Sequence, residues 1–193
     1  MGIETALMLL PGLVVGLTFH EAAHAISAKW LGDHTAEKMG RVSLNPLRHM
    51  SLMGTIALFF IGFGWGKPVI VNLHNFKKPK FHYLLSSLAG PAANLVLAAI
   101  ALGILYLRPW WVLEWICTSI FIVNSLLATF NLLPIPPLDG SKIWPCLIPG
   151  ASPQISKKWG RVWLIVLVVC LFTGVIDKVI DPVFGFLFAL LPG

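Results

Sequence analysis

The segment of this sequence best equipped for chemistry is His20-Glu21-Ala22-Ala23-His24. On a helix, residues four apart share a face, so both imidazoles can reach one metal ion. Glu21 follows about a third of a turn later, where a carboxylate can reach a metal-held water without being a ligand. Zinc lowers the pKa of such a water to about 7, and a nearby carboxylate can then accept the proton. The pentad sits inside the apolar run 5–30. Two histidines and a glutamate are costly in such a run unless they are paired or bound to metal.

A catalytic zinc ordinarily has three protein ligands and one open position, so a third ligand is needed. His34, His49, His74 and His82 are available, but they lie in polar connections or at the edges of apolar runs. Asp139 is the better candidate. It stands in Asn131-Leu132-Leu133-Pro134-Ile135-Pro136-Pro137-Leu138-Asp139-Gly140, where an apolar run ends and turns polar. Its prolines stop the helix and leave irregular backbone at membrane depth, which is tolerable only where it lines a site. His20 lies nine residues before Lys29, hence roughly 14 Å from the end of its helix. Asp139 follows a helix that ends on the same side, so the two can meet.

The elements that must position these residues are membrane helices. Of 193 residues, 57% are hydrophobic and 11% charged, against roughly 25% charged in an ordinary soluble domain. Mean hydropathy is +0.83. These values exclude disorder, a coiled coil and nucleic-acid binding, and point to an integral protein of the lipid bilayer. Apolar runs at 5–30, 82–107, 110–133 and 161–176 predict four crossings. The run 51–66 holds Gly54, Gly62, Gly64 and Gly66 and is short: 16 residues reach roughly 24 Å as a helix, so a re-entrant segment is expected there. Residues 67–73 are β-branched at their centre and read as a short strand. The tail from Asp181 is an apolar stretch expected at the surface.

The net charge of +6 comes from Lys and Arg between the apolar runs, where such residues set topology. The connections 31–50, 67–81 and 134–160 are expected to face the cytoplasm, with both termini outside. Lys77, Lys78 and Lys80 read as part of this topogenic charge. Trp30, Trp110, Trp111, Trp159 and Trp163 fall at run ends, as an aromatic belt requires. Cys117, Cys146 and Cys170 match no metal spacing and read as buried, small residues. The N-terminus lacks a basic stretch, so the first apolar run is expected to stay in the mature protein. No internal repeat supports an inverted-repeat transporter.

Three motifs together resemble the site-2 protease family of intramembrane zinc metalloproteases: His20 to His24, Gly90-Pro91-Ala92-Ala93-Asn94, and Asn131 to Gly140. The resemblance runs from about residue 12 to 142. It implies that His20, His24 and Asp139 hold one Zn2+ per chain and that Glu21 is the general base. It also implies that Asn131 stabilises the oxyanion or holds substrate, and that Asn94 lies near the active site and contacts substrate. The strand Val69-Ile70-Val71 resembles the family's membrane-associated β-hairpin. Such an edge can hold an unwound substrate by strand addition, although a purely structural strand gives the same pattern.

The expectation is therefore an all-α polytopic membrane protein. It has about four transmembrane helices, a re-entrant segment and a short membrane-associated β-hairpin. Residues 1–193 form one domain, with a core at 12–142, C-terminal helices at 161–191 and no room for a PDZ insertion. By resemblance it cleaves transmembrane protein substrates within or near their spans, in a prokaryotic cytoplasmic membrane, with the active site toward the cytoplasm. The competing reading is a scaffold or transport protein that keeps the fold without catalysis.

Overall fold

The computed structural model describes residues 3–54, 56, 66–153 and 157–192. It is mostly helical. The chain runs through α1 (Ile3–Trp30), the short α2 (Thr35–Lys38), α3 (Pro79–Leu105), α4 (Trp111–Asn131), α5 (Gly140–Leu147), α6 (Lys157–Phe172) and α7 (Asp177–Leu190). Single 3-10 turns occupy Pro46–Arg48 and Leu73–Asn75. Pro79 opens α3, where a missing backbone donor removes no helical bond.

Helices α1, α3 and α4 pack mutually, α5 lies on α3, and α7 lies on α4. Each of the three long helices is long and apolar enough to cross a membrane. Their polarity is inverted relative to a water-soluble bundle. Thr18, His20, His24, Ser86, Ser87, Asn94, Ser119, Asn124 and Ser125 are buried, while Met8, Leu95, Val96 and Ile100 are exposed. Polar groups are tolerable in a membrane helix when they face the bundle and not the hydrocarbon. Trp30, Trp110 and Trp111 are exposed at the helix ends, where an aromatic belt would lie.

Small residues let the backbones approach. Ala22, Ala25 and Ala28 of α1 are almost fully buried, as are Ala98 and Ala101 of α3 and Ala128 of α4. A Cβ added at Gly12 would run into the Ser119 carbonyl of α4. An apolar core closes the other end of the bundle, where Ala98, Ala101, Leu105, Cys117 and Phe121 receive Leu187 of α7. A second cluster joins Leu138 to Leu167 and Ile176, tying the loop before α5 to α6 and α7.

The C-terminal region takes its own form. The apolar run 161–176 falls on α6, which stops at Phe172, followed by a turn with Gly174 at φ 71°. That left-handed conformation suits glycine and ends the helix. The tail expected at the surface is α7, docked on α4. With 16 and 14 residues, α6 and α7 fall short of the roughly 20 that a straight crossing needs. Three helices, not four, therefore meet the length of a span among the described residues.

The β-hairpin also does not form among the described residues. Their one bridge is isolated and joins Met50 to Gly66, and residues 67–72 carry no regular secondary structure. The cause is local. The Val69 N–H donates to Glu21, the Asn72 N–H donates to Asp33, and the Lys67 and Pro68 carbonyls accept from Arg41. Side chains thus occupy groups that a neighbouring strand would need. Most of the expected re-entrant segment, 55 and 57–65, lies outside the described residues.

Candidate metal centre

His20 and His24 sit one turn apart on α1, with ring centroids 4.7 Å apart at an interplanar angle of 84°. The loop after α4 carries Asp139 to them from the start of α5. Asp139 Oδ2 lies 3.1 Å from His20 Nε2 and 2.9 Å from His24 Nε2, and the two Nε2 atoms are 3.1 Å apart. All three residues are buried. They form the ligating cluster found among the described residues. His34, His49, His74 and His82 take no part in it. His34 pairs with Glu37, and His49 is buried with Nε2 on the Ser43 carbonyl.

The donor set fits a zinc ion. Tetrahedral ligands about 2.0–2.2 Å from zinc stand about 3.3 Å from one another, close to the separations here. The second ring nitrogens strengthen the fit. His24 Nδ1 lies 2.7 Å from the Ser86 carbonyl, which can only accept, so Nδ1 carries the proton. His20 Nδ1 lies 2.6 Å from Asn94 Oδ1. With both Nδ1 atoms donating outward, both Nε2 atoms are turned toward a carboxylate oxygen. The three atoms converge in an arrangement that a cation can satisfy.

Gly90 makes this possible. A Cβ there would stand 2.7 Å from His20 Nε2 and closer still to His24 Nε2. The glycine of the Gly90 to Asn94 motif is therefore the space in which the imidazoles meet. Gly140, beside Asp139, has its own constraint. A Cβ there would strike the Leu132 and Leu133 carbonyls as the loop folds back.

A cavity of about 140 Å³ opens beside the cluster, lined among others by Glu21, Pro68, Val69, Val71, Tyr83, Asn131 and Lys142. Glu21 Oε2 accepts from the Val69 N–H at 2.8 Å. Asn131, at the end of α4, donates from Nδ2 to the Leu127 carbonyl at 2.9 Å. That leaves its second amide hydrogen for the cavity. Asn94 does not line this cavity. It is fully buried behind His20, with its Oδ1 on that ring.

The segment 67–72 is pinned at both ends. Arg41 Nη2 donates to the Lys67 carbonyl and, at 3.3 Å, to that of Pro68. The Lys67 N–H donates to the His49 carbonyl at 2.6 Å. At the far end Asp33 Oδ2 accepts the Asn72 N–H at 2.7 Å, while its Oδ1 accepts from Asn75, the Thr35 N–H and the Thr35 hydroxyl. Burial alone raises the Asp33 carboxyl. The hydrogen bonds from Thr35, Asn75 and Asn72 outweigh it and hold the group below its usual range.

Comparison with known proteins agrees with this geometry. Residues 110–174 match the model described as Peptidase family M50. A Bacillus subtilis protein named "Putative zinc metalloprotease YwhC" is 41% identical over 170 residues, covering 81% of this chain and 78% of that protein. "Putative zinc metalloprotease Rip2" of Mycolicibacterium smegmatis is 35% identical over 183 residues, covering 84% and 67%. The chain belongs to peptidase family M50, the site-2 protease family. No solved structure matches it. Within this M50 chain, the family-model match takes in Asn131, Asp139 and Lys142. The histidine pentad, Asn94 and the 67–72 segment lie before it.

Four residues escaped sequence reasoning. Lys142 was counted as topogenic charge, yet its Nζ lies 2.7 Å from Asp139 Oδ1 and it lines the cavity. By holding Oδ1 it turns Oδ2 to the histidines. Its place three residues after Asp139 was the available signal. Arg41 was counted the same way, and Asp33 was passed over. Asn124, an amide inside an apolar helix, was visible as an expensive residue.

Two outcomes follow from this geometry. Gly90→Ala improves helix propensity by about 1 kcal/mol but fills the imidazole space. The purified variant should fold and bind zinc at least about tenfold more weakly in a chelator competition. Unchanged zinc affinity would mean that the site relaxes around a Cβ. For Asp33, a carboxyl lowered on folding stabilises the fold fully above its unfolded value of about 3.9, and that stabilisation is lost as pH falls through the folded value. The melting-temperature gap between wild type and Asp33→Asn should be flat above about pH 4.5 and close below about pH 4. A gap that stays constant down to the folded-state titration would remove Asp33 as the charged anchor.

Proposed function

We propose that this M50 member is an intramembrane zinc endopeptidase, one domain over 1–193, that hydrolyses peptide bonds within or near the transmembrane segments of other membrane proteins. The observation that carries the reading is the convergence of His20 Nε2, His24 Nε2 and Asp139 Oδ2 inside an apolar bundle, with Glu21 and an open cavity beside them. His20, His24 and Asp139 would hold one zinc ion, which supplies Lewis acidity toward a carbonyl and acidifies water.

The chain's own residues supply the rest. Glu21 Oε2 takes a proton from the attacking water and delivers it to the leaving amide nitrogen. The water oxygen bonds to the carbonyl carbon, the C–N bond breaks, and a carboxylate and an amine leave. The Val69 N–H keeps the Glu21 carboxylate turned toward the cavity. Asn131 offers its free amide hydrogen to the developing oxyanion.

A substrate helix must unwind before its carbonyl can be reached. Ile70 is 54% exposed. Among the described residues neither its N–H nor its C=O makes a hydrogen bond in the fold. With the Val69 N–H held by Glu21, the backbone groups of Ile70 are the part of the Val69 to Val71 segment to which an extended peptide can add. The Lys and Arg of the connections support a site facing the cytoplasm of a prokaryotic membrane.

Metal content and cleavage separate the roles. Asp139→Ala should lose zinc and cleavage of a membrane-helix reporter together. Glu21→Gln should keep about one zinc per chain and lose nearly all activity. Wild-type cleavage by Glu21→Gln would end the proposed mechanism. A wild type with neither zinc nor cleavage would favour the scaffold reading. Ile70→Pro removes a backbone donor and should impair cleavage far more than Ile70→Ala, at constant zinc content. Equal, mild effects would make the segment purely structural.

A further inference from the structure

A row of buried amides leads from the backbone of α1 and α4 to the candidate metal centre. Asn124 lies on α4 and Asn94 on α3, and both are completely buried. Asn124 Nδ2 stands 2.8 Å from the Ile120 carbonyl and 3.4 Å from that of Gly12. Both are pure acceptors, so this end of the amide must be the nitrogen. Its oxygen is thereby turned to Asn94, whose Nδ2 lies 2.7 Å from Asn124 Oδ1 and 3.2 Å from the Gly16 carbonyl. Asn94 is oriented in turn, with Oδ1 left to face His20 Nδ1 at 2.6 Å. That oxygen can only accept, so the hydrogen sits on His20 Nδ1 and the lone pair of Nε2 points at Asp139 and His24.

Asn124 is fixed by main-chain carbonyls that no tautomer or flip can reverse, and Asn94 is turned by the short bond to Asn124 together with the longer one to the Gly16 carbonyl. Glycines keep the row compact. A Cβ at Gly16 would lie 3.0 Å from Asn124 Oδ1. In a low-dielectric interior a reversed amide would set oxygen against oxygen and nitrogen against nitrogen, so the wrong polarity is strongly disfavoured.

We infer that Asn124, through Asn94, is a positioning residue that fixes the ring tautomer of His20 for metal binding. It touches neither metal nor substrate. The inference rests on the proposed zinc site but is tested first without metal. Metal-free protein labelled with 15N-histidine in detergent micelles reports the tautomer of each ring by long-range 1H–15N correlation. The His20 signals are assigned by their absence from His20→Gln. In wild type, His20 should be the Nδ1–H form. In Asn124→Leu, or in Asn124→Ser, which cannot reach Asn94, the ring should show both tautomers. Zinc affinity by chelator competition should fall about 10–100-fold.

Ser119→Ala is the control. Ser119 Oγ accepts the Gly12 N–H at 2.9 Å, another polar contact between α1 and α4, and it meets the row only at the Gly12 backbone, where the shorter 2.8 Å bond to the Ile120 carbonyl still fixes Asn124. It should leave both the tautomer and the zinc affinity unchanged. An Nε2–H tautomer in wild type overturns the inference. So does an unchanged tautomer in whichever Asn124 variant folds, or a loss in Ser119→Ala equal to that in the Asn124 variants. Failure of the wild type to bind zinc, with the Nδ1–H tautomer present and sensitive to Asn124, would instead defeat the metal reading and leave the amide row intact.

Discussion

Everything in this bundle answers to the expense of placing polar groups among apolar helices. A histidine, a carboxylate or an amide in such an interior loses water and must find a partner. The chain meets this by turning its polar residues inward and giving nearly every one a defined neighbour. His24 has Ser86, His20 has Asn94, Asn94 has Asn124 and Gly16, and Asn124 has the carbonyls of Gly12 and Ile120. The small residues of α1 and α3 follow from the same requirement, because hydrogen bonds between helices need close backbones. The groups left facing one another, His20 Nε2, His24 Nε2 and Asp139 Oδ2, are those that could hold a metal ion.

The approach to that cluster is built differently. It is a segment outside the bundle, held by Arg41 near Lys67 and by Asp33 at Asn72. Two charged side chains from the connection after α1 do the work that a neighbouring strand would do in a sheet. The middle of the segment keeps its backbone groups available while its ends are fixed. Such an arrangement is compatible with the substrate edge proposed for this segment.

The sequence made the chemistry legible and left its supports hidden. His20, Glu21 and His24 declare themselves by spacing, and Asp139 by the prolines before it and by topology. Gly90 could be read only as packing, because what its missing side chain makes room for comes from another helix. Lys142 and Arg41 sat where positive charge orients a membrane protein, so the topogenic reading absorbed them. One residue can serve both ends, and only geometry separates them. The C-terminal region was less legible for another reason. Composition recognises an apolar helix but not its docking partner, and α7 is defined by Leu187 reaching the core of α3 and α4. The β-branched run at 69–71 suggests a strand, but the hydrogen-bond partners that decide whether one forms lie far away in sequence.

The Lys142–Asp139 contact of 2.7 Å has a consequence for the order of assembly. The Lys142 ammonium balances the Asp139 carboxylate, so the buried carboxylate has an opposite charge beside it before any cation arrives. A bare carboxylate there would be an uncompensated charge in an apolar interior. Small zinc domains in water fold only as their metal binds. Here the helices can insert and close first, and loading can follow as a separate event, in a site whose shape the protein has already set.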